Sequence, residues 1–307
     1  MKINEDYKIV IIGAGTAGLS AAVYAQRAGQ DVIILDGKGY GGQIGSTDKV
    51  ENYPGIASVS GFDFATGLYE QAKSLGAKIK FSEVKAVEKT EAGFDVVTER
   101  VTYKTSAVII ATGLEKRKLG LANEEILTGK GISYCAACDG AFYKGKNVAV
   151  VGGGNTALED ALYLSTYCTN VYLVHRRDEY RAEQTYVDEI AGKDNIIQLK
   201  SCVPAEIIGA DKVEGLTVKS LKDDSLKTLE VSGVFAAVGQ VPSNDIFKDL
   251  IELDPSGYIV AGEDCLTSAD GIFAAGDCRT KEIRQLVTAA ADGAVAGIGA
   301  AKYVRAK

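Results

Sequence analysis

Cys135 and Cys138, in the run Cys135-Ala136-Ala137-Cys138-Asp139, are the residues whose type and spacing point most directly to chemistry. A C-x-x-C pair can open and close as a redox disulfide, or it can supply half of a zinc site. Zinc needs four ligands. The remaining cysteines, Cys168, Cys202, Cys265 and Cys278, form no second C-x-x-C, and the chain has one histidine. The redox dithiol is favoured and no metal is expected; the other four cysteines read as small buried hydrophobes. Asp139 adjoins the pair and could pass a proton to a departing thiolate. Its competing role is a local cap or turn residue.

Two glycine runs carry a second kind of chemistry. Gly13-Ala14-Gly15-Thr16-Ala17-Gly18 is a G-x-G-x-x-G fingerprint, and Gly152-Gly153-Gly154-Asn155-Thr156-Ala157 repeats it 139 residues later, with Ala in the third place. In such a run the first glycine permits a tight turn. The second lets a pyrophosphate approach the backbone, and the third lets the helix pack closely on the strand. The helix that follows offers free N–H groups and a positive dipole end to phosphates. Asp36 stands after the first unit's second strand, where a carboxylate accepts ribose hydroxyls and repels a 2′-phosphate. That site suits FAD or NAD. At the matching offset the second unit has His175, then Arg176, Arg177 and, four residues further, Arg181. Guanidinium groups fit phosphate oxygens, so this site suits NADP. The competing readings are generic glycine turns and a solvated basic patch. Two dinucleotide sites and a dithiol make an electron line from nicotinamide to flavin to disulfide to an external disulfide.

These residues need elements to hold them. The run 7–12 is apolar and β-branched, suited to a buried parallel strand. A helix is expected over 19–28, stopped by Gly29, and a strand over 31–35. The second unit repeats this with a strand at 147–151, a helix at 157–167 and a strand at 171–174. Runs at 107–110 and 233–238 read as the closing strand of each unit. The stretch from Gly271 to Asp277 and an Ala/Gly-rich helix over 285–303 have no unit of their own and are expected to return to the first. The expected fold class is α/β, with two Rossmann-like nucleotide-binding domains. A discontinuous FAD domain takes 1–116 and 246–307, and the NADPH and redox-disulfide domain is inserted at 117–245.

Composition agrees with this reading and excludes others. At 307 residues the chain is long enough for two domains, and 46% hydrophobic with 24% charged residues is ordinary for a folded globular protein. Thirty-five glycines beside four prolines point to tight turns and close backbone approaches rather than a fibrous repeat. A net charge of −7 argues against a nucleic-acid partner. No apolar run is long enough to span a membrane, and the polar start, 1–8, does not read as a signal peptide. Six cysteines are too few for a disulfide scaffold, and a cytoplasmic location is expected.

Taken together these residues are similar to those of the low-molecular-weight, bacterial-type thioredoxin reductases, which are flavoprotein disulfide reductases. The resemblance runs along essentially the whole chain. Besides the two fingerprints and Cys135-Ala136-Ala137-Cys138-Asp139-Gly140, it rests on six further runs. They are Gly41-Gly42-Gln43, Glu51-Asn52-Tyr53-Pro54-Gly55, Ala111-Thr112-Gly113, His175-Arg176-Arg177-Asp178, Gly276-Asp277 and Arg284-Gln285. It implies FAD on the first fingerprint, with Gly41, Gly42, Gln43 and Asn52 on the flavin side and Thr112 and Gly113 bordering it. Asp277 would face the ribityl–pyrophosphate region, with Arg284, Gln285 and Leu286 near the ring. It implies NADPH on the second fingerprint, with Arg176, Arg177 and Arg181 near the 2′-phosphate. Cys138 would lie against the flavin, Cys135 would attack thioredoxin, and Asp139 would be the proton donor. It also implies a homodimer whose inserted domain rotates about short connections near 114–118 and 240–246, a gate in the cycle. Ala137 stands where Thr or Val is common, and Gln240 where His or Arg is frequent; the first removes no functional group. The basic cluster argues against a ferredoxin-dependent relative. The alternatives are a reductase of another disulfide client, a flavin-binding redox sensor, and a dithiol oxidase using O₂.

Overall fold

Short β-branched runs become the buried strands of the computed structural model, which describes residues 3–47 and 49–307. Met1 and Lys2, the head of the polar start, lie outside the described residues. The chain begins with β1 (Ile3–Ile12), α1 (Thr16–Arg27), β2 (Val32–Asp36), α2 (Gly61–Ser74), β3 (Lys78–Phe81), β4 (Val84–Thr90), β5 (Gly93–Thr98) and β6 (Val101–Ile110). It passes through β7 (Glu115–Lys116) to α3 (Glu124–Leu127), β8 (Ile132–Ser133), α4 (Ala136–Asp139), β9 (Asn147–Gly152), α5 (Asn155–Ser165), β10 (Asn170–His175), α6 (Gln184–Ala191) and β11 (Ile196–Lys200). Then come β12 (Cys202–Ile208), β13 (Gly215–Ser220), β14 (Leu226–Leu229) and β15 (Gly233–Ala237), and β16 (Gln240–Val241) leads to β17 (Ile272–Ala274) and α7 (Leu286–Ala306).

The chain divides into two compact units, Met1–Glu115 with Val241–Lys307, and Lys116–Gln240. The observed boundaries thus fall at 115/116 and 240/241, where the sequence suggested 116/117 and 245/246. The two crossings, β7 and β16, pair with each other.

In the first unit β3, β2, β1 and β6 lie side by side and parallel. One half of β6 pairs antiparallel with β5 and the other half parallel with β17. The C-terminal stretch is therefore part of the first unit's sheet. Alternate residues of β1 serve two cores: Ile9 and Ile11 pack on the α1 side, Val10 and Ile12 on the other. That is the period-two pattern of a strand buried on both faces. Helix α7 lies on α1 at backbone distance. A Cβ on Gly293 would meet the Ala17 carbonyl oxygen at 2.2 Å, and one on Gly297 the Ala21 oxygen at 2.5 Å.

In the second unit β11, β10, β9, β15 and β8 form a parallel sheet, with an antiparallel β12–β13–β14 sheet beside it. Val148 and Val150 face one core, Ala149 and Val151 the other. Both fingerprint helices start earlier than their apolar runs suggest, at Thr16 rather than 19 and at Asn155 rather than 157. The helical turn continues back into the glycine loop. Helix α5 ends at Ser165, not 167. Cys168, Cys265 and Cys278 are buried free thiols, but Cys202 is only partly covered, which corrects its reading as a core residue. Burial pushes the Cys168 thiol up to about 11 and the Cys265 thiol up to about 12. No helix among the described residues is long and apolar enough to cross a membrane.

Candidate functional site

In the second unit Cys135 and Cys138 are bonded to each other, with Cα atoms 5.3 Å apart. Cys135 caps the entry of one short helical turn, α4, and Cys138 lies within it; the Cys135 sulfur accepts from the Cys138 N–H at 3.2 Å. Cys138 is exposed and Cys135 half-covered. Asp139 precedes the 3-10 turn Gly140–Tyr143 but makes no side-chain capping bond to it; its Oδ2 accepts from the Ser133 hydroxyl at 2.6 Å. The same Ser133 oxygen accepts from the Cys135 N–H at 3.0 Å. Ser133 therefore ties the acid to the first cysteine.

The second fingerprint lines a cavity of about 700 Å³ within the same unit. Gly152 has φ of +158°, and a Cβ there would meet the Ala237 carbonyl oxygen at 2.3 Å, so no other residue fits the turn. Gly154 is different: a Cβ there would meet nothing within 4 Å, which leaves the loop open to a ligand. The N-terminus of α5 has no side-chain cap. Thr156 lines the cavity, while Asn155 is turned to Glu183, donating to its Oε1 at 2.9 Å and accepting from its N–H at 2.8 Å. Arg176, Arg177 and Arg181 line the cavity, and the Arg181 N–H donates to the Gly153 carbonyl at 2.7 Å.

His175 lines the cavity as well, from a buried position. It is 7% exposed, its Nε2 is 3.0 Å from the Glu179 carbonyl, and its ring stacks on Tyr180. A Cβ on Gly153 would meet its Nδ1 at 2.1 Å. Burial, with Arg177 and Arg176 adding to it, lowers its pKa, so the ring supports the loop as a neutral group.

In the first unit Gly13 has φ of +109° and would clash with the Ala111 oxygen at 2.2 Å if it bore a Cβ. Gly18 would clash with the Gly13 oxygen at 1.9 Å, and Gly15 would meet nothing within 4 Å. This is the same division of roles as in the second unit. Helix α1, which carries Thr16 and Ala17 in its first turn, likewise has no side-chain cap. Asp36 accepts from the Ala14 and Lys38 N–H groups, both at 2.7 Å, one on each oxygen, and each oxygen retains a lone pair. Gly41 and Gly42, both at positive φ, turn against Gly15: Gly41 bridges to it, and a Cβ on Gly42 would lie 3.4 Å from its Cα.

Asn52 and Gln285 are brought together at 3.2 Å, Gln43 donates to the Leu114 carbonyl at 3.0 Å, and Leu286 opens α7. Arg284 stacks on Tyr258 and donates to the Asp277 carbonyl at 3.5 Å. Thr112, next to Gly113, donates to Asn244 at 3.0 Å. Asp277, beside Gly276, has a buried Oδ1 with no hydrogen-bond partner among the described residues. Burial raises its pKa against the pull of Lys281 and Arg284. An orphaned buried carboxylate oxygen beside an open glycine loop fits a dinucleotide that brings its own hydroxyl donors. The guanidinium-lined cavity of the second unit fits one that brings phosphate.

Four groups escaped sequence reasoning. Ser133 has no local signal. Asn244, 1% exposed, donates to the Gly257 and Cys278 carbonyls and looks in sequence like any loop residue. The Lys116-Arg117-Lys118 run adds three cations to the cavity wall, and its charge was visible in sequence. Glu124, 2% exposed, accepts from the Leu119 and Gly120 N–H groups and from the Tyr134 hydroxyl at 2.6–2.8 Å. It joins that wall to the residue before Cys135.

Comparison with known proteins agrees with this geometry. The family model described as pyridine nucleotide-disulphide oxidoreductase matches residues 7–293. The thioredoxin reductase of Listeria monocytogenes is 44% identical over 299 residues, which is 97% of this chain and 94% of that one. The crystal structure of Lactococcus lactis thioredoxin reductase, in its FR conformation, superposes with a TM-score of 0.86 at 36% identity, covering 98% of this chain and 100% of that one. A ferredoxin-flavin thioredoxin reductase from Clostridium acetobutylicum matches at a TM-score of 0.55 and 31% identity, covering 99% and 100%. Two glycine cradles, a C-x-x-C disulfide and a match along nearly the whole chain lead to one assignment: the chain belongs to the pyridine nucleotide-disulphide oxidoreductase family.

Proposed function

We propose that this chain is a thioredoxin reductase, carrying two electrons from NADPH through FAD and the Cys135–Cys138 disulfide to the disulfide of thioredoxin. The observation that carries the reading is that one unit holds both the closed disulfide and an arginine-lined cavity on a glycine fingerprint. Bound FAD supplies the carrier that accepts hydride from a nicotinamide and passes on two electrons. The chain's residues do the rest. In the second unit Gly152 would set the turn, Gly154 and Thr156 would receive the pyrophosphate of NADPH, and Arg176, Arg177 and Arg181 its 2′-phosphate. In the first, Gly13, Gly15 and Gly18 would shape the FAD cradle, Asp36 and Asp277 would accept hydroxyls, and the Asn52–Gln285 pair would face the flavin.

The reduced pair then works by exchange. The Cys135 thiolate attacks a client sulfur, forming a mixed disulfide and releasing a client thiolate, which Asp139 protonates. Cys138 attacks the Cys135 sulfur, releases the second client thiol and recloses the pair, so two electrons leave the enzyme. Ser133 orients Asp139 throughout. The reading includes a homodimer and a cytoplasmic location, where thiols are kept reduced.

The test is NADPH oxidation by the purified yellow protein with and without thioredoxin. Steady consumption that requires thioredoxin is expected. Consumption without it would indicate an oxidase, none with it a sensor, and turnover driven by ferredoxin but not by NADPH a ferredoxin-dependent enzyme.

A further inference from the structure

Helix α7 carries one acid into the interior. Asp292 Oδ2 accepts from the Gly276 N–H at 2.9 Å, Arg279 Nε at 2.9 Å and Lys281 Nζ at 2.8 Å, while Oδ1 accepts from Arg279 Nη2 at 2.8 Å. The side chains of Arg279, Lys281 and Asp292 are 1%, 5% and 7% exposed. The other donors of Arg279 end on the Ala261 and Thr280 carbonyls and on Glu263, which is open to solvent. Buried charges of this kind are costly unless paired and hydrogen-bonded, and one buried carboxylate here faces two buried cations.

The geometry around the cluster connects it to the first glycine fingerprint. A Cβ on Gly276 would lie 2.8 Å from the Ala17 Cβ, and one on Gly293 would lie 2.2 Å from the Ala17 carbonyl oxygen. The loop 276–277 and the helix bearing Asp292 are thus both pressed on the first turn of α1. Asp277, the next residue after the N–H that Asp292 holds, is the one with the unpartnered buried oxygen.

We infer that Asp292 is a positioning residue of the dinucleotide site. By holding the Gly276 N–H and the Arg279–Lys281 pair, it fixes the loop so that the Asp277 carboxylate is presented to a hydroxyl donor of the bound cofactor. The inference rests on the reading that FAD occupies the first unit. Neutralising Asp292 takes the buried counter-charge from Lys281, leaves Arg279 only the solvent-exposed Glu263, and frees the loop. Asp277 then loses its aim although it is unchanged chemically.

The experiment measures FAD binding, not turnover. Full-length wild type, Asp292→Asn, Asp277→Asn and the double variant are stripped of flavin and titrated with FAD by fluorescence quenching. Thermal unfolding of each flavin-free protein is followed in parallel. Each single variant should weaken FAD binding roughly tenfold, the size of one charged hydrogen bond. The double variant should be no more than about threefold weaker than the worse single, because two groups acting through one contact are not additive. A merely structural acid would lower the unfolding temperature and leave the dissociation constant alone. If Asp292→Asn does not fold, Arg279→Lys keeps the charge but loses the fork, and it should weaken binding about threefold with the same non-additivity.

Folded Asp292→Asn or Arg279→Lys protein that binds FAD like wild type, or losses that multiply with those of Asp277→Asn, would overturn the inference alone. Wild-type protein that takes up no FAD would overturn the cofactor reading and the inference with it.

Discussion

Cys138 is the more exposed member of the disulfide, whereas the family resemblance assigns attack on the client to Cys135. Trapping separates the two roles. Cys138→Ser should lose turnover and hold a thioredoxin lacking its resolving thiol as a covalent complex, because the second exchange step is gone. Cys135→Ser should lose turnover without trapping. A non-reducing gel reads both, and a reversed pattern would exchange the roles. The arginines make a second residue-level claim. NADPH should be preferred over NADH by roughly tenfold or more in kcat/KM, about 1.4 kcal/mol, which a charged hydrogen bond can supply. Arg176→Ala with Arg177→Ala should raise KM for NADPH and leave NADH almost unchanged; equal losses with both would sink the phosphate assignment. Asp160, on α5, gives a pH prediction. Burial first, then Glu159, pushes its carboxyl up to about 6 against the pull of Lys116. The folded state therefore keeps this proton longer than the unfolded chain. Stability should fall as pH rises between about 4 and 6, by at most about 3 kcal/mol, and then level off. Asp160→Asn should abolish that slope and raise the unfolding temperature at neutral pH.

At the scale of elements, α7 and α1 touch through backbone. Gly293 and Gly297 are four residues apart and so share a helix face, and both press on carbonyls of α1. Gly297→Ala places its Cβ 2.5 Å from the Ala21 oxygen, so the helices must separate. We expect a loss of about 1–3 kcal/mol in urea unfolding, together with weaker flavin retention, since α1 opens the cradle. An unchanged midpoint would mean that the helices shift at no cost. Strands β1, β2, β6, β9, β10 and β15 and helices α1, α5 and α7 were legible because a strand buried on both faces is a continuous β-branched run, and because glycines mark its exit; the parallel strands β3 and β11 and helices α2 and α6 were not. Nor were strands β4 and β12 to β14. Their exposed residues carry charges, as in Val84–Thr90, where the buried Val84 and Val87 are three apart across a register shift and break the period of two, and nothing local says which partner they take.

At the scale of the whole molecule, each unit has its own core. The sheet of the second unit is filled on both faces, by Val148, Leu173 and Phe235 on one side and by Ala149, Leu216 and Val234 on the other. A polypeptide of residues 116–240 alone should therefore unfold cooperatively, bind NADPH and close the Cys135–Cys138 bond. Calorimetry and nucleotide fluorescence check this, and a molten or non-binding product would show that the unit depends on the rest of the chain. The chemistry that depends on spacing was determined by the sequence itself. The two fingerprints, the contrast between Asp36 and the arginines after His175, and the dithiol each lie within a few residues, where local geometry is set by glycine turns and one helical turn. The tertiary structure alone decided the supports. Thr112 reaches Asn244 across 132 positions, Gly276 hangs on Asp292 in another element, and Glu124 joins Leu119 to Tyr134. In the sequence these acids and amides look like solvated surface residues. They become interior groups with assigned partners only when packing removes the water that would otherwise satisfy them.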